Sequence, residues 1–137
     1  MDQRVLVSDE INAGTDLIQN VNKTLPIQAA FWLYETYEGQ WFLYLASDQV
    51  TDANIRESYG HVLRADQESP NLFLDVFHVK LIPLESPMAQ EALATYERYP
   101  STTVTRINRY SFGGLPIAGG YLYPPAIIAG TPSPANS

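Results

Sequence analysis

The sequence predicts an α+β fold, with a single mostly antiparallel sheet of about five strands and about three helices in the order α-ββ-α-β-α-ββ. One basis is a pair of stretches in which aromatic and branched residues flank a glycine-containing turn. A second is the amphipathic segments between them, and a third is the length of 137 residues, which suits one domain. Hydrophobic residues form 45% of the chain and charged residues 17%, a composition that excludes a disordered protein.

The first helix is predicted over residues 9–23, where Ser8 is a good N-cap and apolar residues recur at helical spacing. A β-hairpin follows, with strands at 27–34 and 41–46 and a turn at 37–40. Both strands are apolar on both faces. This pattern is typical of strands that are covered on both sides or lie in the middle of a sheet.

A second helix, which Thr51 or Asp52 can cap, leads into a third strand predicted at residues 72–82. Ser86 followed by Pro87 is the signature of a helix start, because Ser caps the free amides and Pro fits the first turn. The third helix is therefore predicted to begin here.

The chain closes with a predicted hairpin of strands at 102–112 and 117–123. The glycine pair at 119–120 predicts a bulge or a close approach of another backbone. Residues 124–137 are rich in Pro and small polar residues, so we expect a flexible tail there and a single domain over residues 1–123.

The beginning of the chain lacks the basic start and long apolar stretch of a secretory signal. The longest apolar-leaning stretch, at 27–33, is far shorter than the roughly 20 residues of a membrane helix. We therefore expect a cytoplasmic protein with no membrane contact.

Several kinds of chemistry have no support in the sequence. The chain has no cysteine, which excludes disulfides, thiolate metal sites and a cysteine nucleophile. His61 and His78 lack metal-ligand spacing, and we interpret them as a solvent-facing helix residue and a strand residue near the sheet edge. Glu35 and Glu38 are interpreted as exposed charges at the hairpin tip. No catalytic residue, metal or cofactor is predicted, and the sequence leans against an enzyme without excluding one.

Charge is distributed unevenly along the chain, whose formal net charge is -7. Residues 1–97 carry -10, whereas residues 98–137 carry +3 from Arg98, Arg106 and Arg109 and contain no acidic residue. The overall sign disfavours broad binding to nucleic acid, which needs clustered basic residues. It leaves local binding open and makes head-to-tail or edge-to-edge self-association electrostatically reasonable.

Five short motifs follow one another along residues 5–123: Ala29-Ala30-Phe31-Trp32-Leu33-Tyr34, Trp41-x-Leu43-x-Leu45-Ala46-Ser47, Leu72-x-Leu74-Asp75, Ser86-Pro87 and Gly120-Tyr121-Leu122-Tyr123. In this order they resemble a group of small bacterial proteins of unknown function with an Ala-Ala-Phe-Trp hairpin and a terminal Tyr-x-Tyr type of strand. The chain departs from that group at Pro124, where its members tend to end in a basic residue. The resemblance implies a bacterial single domain and carries no activity or ligand.

Three functional hypotheses remain open. The first is a non-enzymatic interaction or regulatory module that binds another protein or a second copy of itself. Its basis is that 12% of the residues are aromatic and concentrate in strands. The second is a small-ligand binder or hydrolase-like enzyme with a site in the 47–52 loop. The third is a weak binder of single-stranded nucleic acid. The candidate binding residues are Asp48, Arg56 and His61 for the second hypothesis, and Arg106, Arg109, Tyr110 and Tyr121 for an interface or nucleic-acid surface.

Overall fold

The computed structural model describes residue 6 and residues 8–130. Over this range it has four helices and a mixed, mostly antiparallel sheet of six strands, which confirms the predicted α+β class. The predictions that concern residues 1–5, 7 and 131–137 lie outside the described residues.

The elements follow one another in the order α-ββ-α-β-α-βββ-α, with a short 3₁₀ helix before the third strand. Their bounds are α1 (Ser8–Asn22), β1 (Ala29–Glu35), β2 (Gln40–Ser47), α2 (Ile55–Glu68), the 3₁₀ helix (Val76–His78), β3 (Val79–Pro83), α3 (Pro87–Arg98), β4 (Thr105–Ile107), β5 (Ser111–Phe112), β6 (Leu115–Tyr123) and α4 (Pro125–Ala129).

The strands are arranged in the order β3-β2-β1-β6-β4, and β5 also pairs with β6. The predicted hairpin forms the antiparallel pair β1–β2, and β3 pairs with β2 in parallel. β1 and β2 therefore lie inside the sheet, and the cores on its two faces explain why both strands are apolar on both sides.

Helices cover both faces of the sheet. On one face, buried residues of α1, α2 and α4 form a core with Trp32, Leu43 and Tyr123. On the other face, α3 packs through Ala89 and Ala92 in a core that contains Phe31 and Phe112. The short alanine side chains allow the helix to approach the sheet closely, while the large strand residues fill the remaining space.

The third strand is shorter than predicted, because it begins at Val79 rather than at residue 72. The side-chain oxygens of Asn71 and Asp75 accept hydrogen bonds from the backbone N–H groups of Phe73 and Phe77, at 2.8 and 2.9 Å. These local bonds compete with strand pairing and turn the backbone into loops and a 3₁₀ helix.

The predicted strand at 102–112 is divided into β4 and β5, which lie on the same side of β6. Opposite them, the predicted bulge is confirmed: Leu33 pairs with Gly120 but Glu35 pairs with Ile117, so β6 has an extra residue. A Cβ at Gly120 would lie 2.7 Å from the carbonyl oxygen of Trp32, which explains the absence of a side chain there.

Two helix starts can be compared with their predictions. Ser86 caps α3 as predicted, and its side chain accepts a hydrogen bond from the N–H of Ala89. The prediction for α2 is wrong, because its N-cap is Asn54 rather than Thr51 or Asp52. The Asn54 side chain is engaged in the preceding loop, where its Oδ1 accepts from the N–H of Thr51 at 2.8 Å.

The chain beyond β6 continues into α4, where the sequence predicts a flexible tail. Ile128 of this helix is buried. Side chains of α1 also hold its last turn, since Gln19 Nε2 donates to the carbonyl of Ile127 at 2.9 Å. The apolar residues at 126–128 bury enough surface to order the segment. The surrounding prolines hide this short apolar run in the sequence.

Candidate functional site

Three of the exposed large apolar residues in the described part of the chain lie close together in sequence, in the segment between α2 and β3. We call Leu72, Phe73 and Phe77 the 72–77 patch. Leu72 is fully exposed, Phe77 is 84% exposed and Phe73 is 50% exposed. Several large apolar side chains exposed on one short surface segment are typical of a site that binds another molecule.

The backbone under this patch is held in place. Leu74 is buried between the exposed residues, and it belongs to the same core as α1 and α2. The Asn71 and Asp75 side chains fix the turns on either side of it. The apolar side chains are therefore displayed on a fixed support, so little backbone ordering is required when they meet a partner.

Acidic residues border the patch along the chain. Asp66 and Glu68 lie in the last turn of α2, and Asp75 lies within the patch segment. Asp75 is exposed, and its Oδ2 lies 3.9 Å from Nε2 of His78. In the sequence, these three acidic residues and one exposed cation, Arg64, therefore flank the apolar centre of the patch.

His78 is placed differently from its prediction as a strand residue, because it closes the 3₁₀ helix just before β3. Its ring packs edge-on against Phe42, at a centroid separation of 5.5 Å. His61 is half-buried in α2, and its Nδ1 lies 2.9 Å from the hydroxyl of Thr24. The two histidines therefore have separate surroundings. Among the residues that the structure describes, no group of three or more His, Asp or Glu side chains could hold a metal ion.

The edge of β3 next to the patch is closed to strand addition. The N–H of Leu84, just after β3, donates to the carbonyl of Ser47 in β2. Because successive amides of a strand point in opposite directions, the even-numbered N–H groups of β3 face β2 and the odd-numbered ones face outward. The outward N–H of Val79 bonds to Val76, and that of Leu81 bonds to the hydroxyl of Tyr59 at 3.0 Å. Pro83 has no N–H at all. No free donor remains on the outer edge of β3.

A second surface lies at the opposite edge of the sheet, where α3 meets the β4–β5 region. We call this the α3–β5 cleft. It has a volume of about 630 Å³ and is lined by Glu91, Ala94, Thr95, Arg98, Tyr99, Arg109 and Ser111.

Glu91 organises the cleft. One of its carboxylate oxygens accepts from the N–H of Gly113 at 2.7 Å, and the other forms a close ion pair with Arg109. Arg109 also donates to the hydroxyl of Thr95 at 3.3 Å. Arg98 is exposed and has no hydrogen bond or ion pair with any residue in the described part of the chain. The cleft therefore carries one fixed and one unpartnered cation against a single carboxylate.

Arg106 of β4 and Arg109 of the loop between β4 and β5 are directed to different sides of the sheet. Arg106 lies over the ring of Tyr121, with its guanidinium carbon 5.3 Å from the ring centroid. Tyr121 in turn packs against Trp41 at 5.7 Å. Arg109 is directed toward α3, and Tyr110 is 93% exposed beside a smaller cleft of about 390 Å³. These residues therefore form two surfaces rather than one.

The residues predicted near the 47–52 loop are not joined to one another. The N–H of Asp48 donates to the side chain of Gln28 at 2.8 Å, whereas Ser47 is buried and accepts from the N–H of Gln49. Arg56 is exposed in the first turn of α2. No hydrogen bond or ion pair within the described residues connects Asp48, Arg56 and His61.

Glu35 is buried, which contradicts its interpretation as an exposed hairpin-tip charge. Its carboxylate accepts a close hydrogen bond from the Tyr44 hydroxyl, and Nζ of Lys80 lies 3.1 Å from the same oxygen. Burial raises the pKa of the Tyr44 hydroxyl well above its usual range, and the Glu35 carboxylate raises it further. The cluster holds Tyr44 neutral and pairs a buried carboxylate with a half-buried amine.

No family model, curated protein or solved structure matches this chain. The resemblance to small bacterial proteins of unknown function therefore stays a prediction. None of the helices in the described part of the chain is long and apolar enough to cross a membrane.

Proposed function

We propose that this domain is a non-enzymatic interaction module that binds a protein partner through the 72–77 patch. The observation that carries the proposal is the exposure of Leu72 and Phe77 on a backbone fixed by the Asn71 and Asp75 turns. Burying one large apolar side chain is worth about 1.5–3 kcal/mol. The patch therefore has enough apolar surface to contribute substantially to a complex.

Side chains rather than strands would make this interaction. The closed outer edge of β3 offers no free amide for pairing with an incoming strand. Edge-to-edge association through β3, which the charge distribution alone would permit, is therefore disfavoured. The negative border at Asp66, Glu68 and Asp75 favours a partner whose apolar surface is surrounded by basic residues.

The proposal can be tested by replacing Phe77 with a photo-crosslinking amino acid in the native host. The matched control carries the same group at Tyr37, an aromatic position at the hairpin tip that is 83% exposed. We expect a defined protein adduct from position 77 and none of the same size from position 37. Identical adducts at both positions, or none at position 77, would overturn the proposal.

A further inference from the structure

We propose that the partner is a second copy of this chain, whose α3–β5 cleft receives the 72–77 patch in a head-to-tail contact. This inference rests on the proposed docking function of the patch and adds the identity of the occupant.

The charges of the two surfaces are complementary. The chain around the patch carries Asp66, Glu68 and Asp75 against one exposed arginine at position 64, a negative excess, whereas the cleft offers the unpartnered cation of Arg98. A patch that met another patch would bring like charges together, which disfavours patch-to-patch pairing. A patch that meets a cleft instead brings a carboxylate border to an arginine.

The cleft can also accept an apolar side chain. Its volume of about 630 Å³ lies within the range of about 300–1,000 Å³ that is typical of sites for compact ligands. Tyr99, which is 64% exposed, and Ala94 provide apolar surface on its walls. Arginine and tyrosine are the residue types that dominate the binding energy of protein interfaces. Phe77 is the residue of the patch best suited to enter, since it is both aromatic and largely exposed.

The positions of the two surfaces determine what kind of assembly forms. The patch lies beside β3 and the cleft beside β5, at opposite edges of the sheet. Four strand-to-strand steps of roughly 4.8 Å separate those edges, a distance of about 19 Å. One molecule can therefore use both surfaces at once. Because these surfaces lie at opposite edges of the sheet, they engage different neighbours, and such a heterologous contact produces a closed ring or an open row.

The test uses two variants that each keep one surface. Phe77→Ser removes the patch and keeps the cleft, while Arg98→Glu reverses the cleft and keeps the patch. Both residues are exposed, and circular dichroism checks that each variant is folded. In sedimentation velocity we expect the unmodified protein to associate, more weakly as salt is added. Each variant alone should lose at least about tenfold in association constant.

The decisive result is the mixture. Equal amounts of the two variants should form a dimer that does not grow, because only one patch and one cleft remain intact. An unmodified protein that stays monomeric at every accessible concentration would overturn the second-copy proposal, as would a mixture of variants that stays monomeric while the unmodified protein associates. In either case an adduct between position 77 and a different protein would still support the docking function. Absence of any adduct at that position would overturn both.

Discussion

Gly14 of α1 lies directly against the hydroxyl of Tyr123, so closely that a Cβ at Gly14 would be 2.3 Å from that oxygen. The hydroxyl accepts from Nε1 of Trp32 at 2.8 Å and donates to the carbonyl of Ile11 at 2.6 Å. A glycine that weakens an isolated helix is therefore required for the helix to reach the sheet.

Replacing Gly14 with Ala tests this relationship. The added methyl group would displace Tyr123 and break two buried hydrogen bonds, so we expect a loss of about 2–3 kcal/mol in the free energy of unfolding. Gly60→Ala in α2 is the matched control. A Cβ there meets only the flexible end of Arg64, at 3.4 Å, so we expect a gain of about 0.5–1 kcal/mol. Urea unfolding measures both, and a stabilised Gly14→Ala protein would refute the role of the contact.

Lys80→Met tests the buried carboxylate. Without Lys80, the Glu35 carboxylate loses its cationic partner, which costs about 3–5 kcal/mol in a fully buried pair. Because the Lys80 side chain is 38% exposed, we expect a smaller loss of about 2 kcal/mol.

Adding Glu35→Gln to Lys80→Met should recover part of that loss, since the amide can still hydrogen-bond to Tyr44 without an unpaired charge. The comparison requires the free energies of unfolding of all four members of the cycle. Equal stability of Lys80→Met and the unmodified protein would show that solvent replaces the amine without cost.

Tyr59→Phe tests the closure of the β3 edge. The substitution removes the acceptor of the Leu81 N–H and keeps the ring. We expect a loss of about 1 kcal/mol and faster hydrogen exchange at the Leu81 amide, measured by NMR. Tyr37→Phe, at an exposed ring, should change neither quantity. Unchanged protection of the Leu81 amide in Tyr59→Phe would contradict the assignment of its hydrogen bond.

Three tyrosines predict how stability depends on alkaline pH. Burial raises the pKa values of Tyr44, Tyr96 and Tyr123 above the ordinary value of 10.0. Above that pH their hydroxyls ionise in the unfolded chain but stay protonated in the folded one, so the unfolded state binds fewer protons. Stability from these groups is fully present below pH 10 and falls as the pH rises further, by up to about 4 kcal/mol per pH unit.

Urea unfolding at a series of alkaline pH values, with tyrosinate absorbance recorded in parallel, checks this prediction. Tyr96→Phe should reduce the slope by the contribution of one proton. Ionisation of all tyrosines near pH 10 while the protein remains folded would contradict the role of burial.

Patterns of neighbouring residues are sufficient to predict part of this structure. The β1–β2 hairpin and the Ser86-Pro87 helix start depend on neighbouring residues, and both are observed as predicted. The bulge opposite β1 is likewise observed where the 119–120 glycine pair predicts it. Asn71 and Asp75, each two residues before a Phe, also carry a local signal for turns, which the apolar run at 72–82 concealed.

Other features depend on residues that are far apart in the chain. Glu35 is buried because β3 brings Lys80 to it, although 45 residues separate them. The Tyr59 hydroxyl closes an edge that belongs to a different element. The α3–β5 cleft forms between α3 and the segment that contains Arg109 and Ser111, which are separated from the helix in the chain. Charge and apolar content are readable in a sequence, but the pairing of distant side chains requires the assembled sheet.

The covering of the 72–77 patch is measured most directly by cysteine labelling, since the chain has no cysteine of its own. Leu72→Cys, which keeps Phe77, and the control Tyr37→Cys would each react with a maleimide as dilute purified protein and in intact host cells, after normalisation to a free thiol. We expect the Leu72→Cys thiol to react about fivefold more slowly in cells, as for a site covered about four-fifths of the time, and the Tyr37→Cys thiol to react equally in both. Equal rates at position 72 in the two settings would contradict the account.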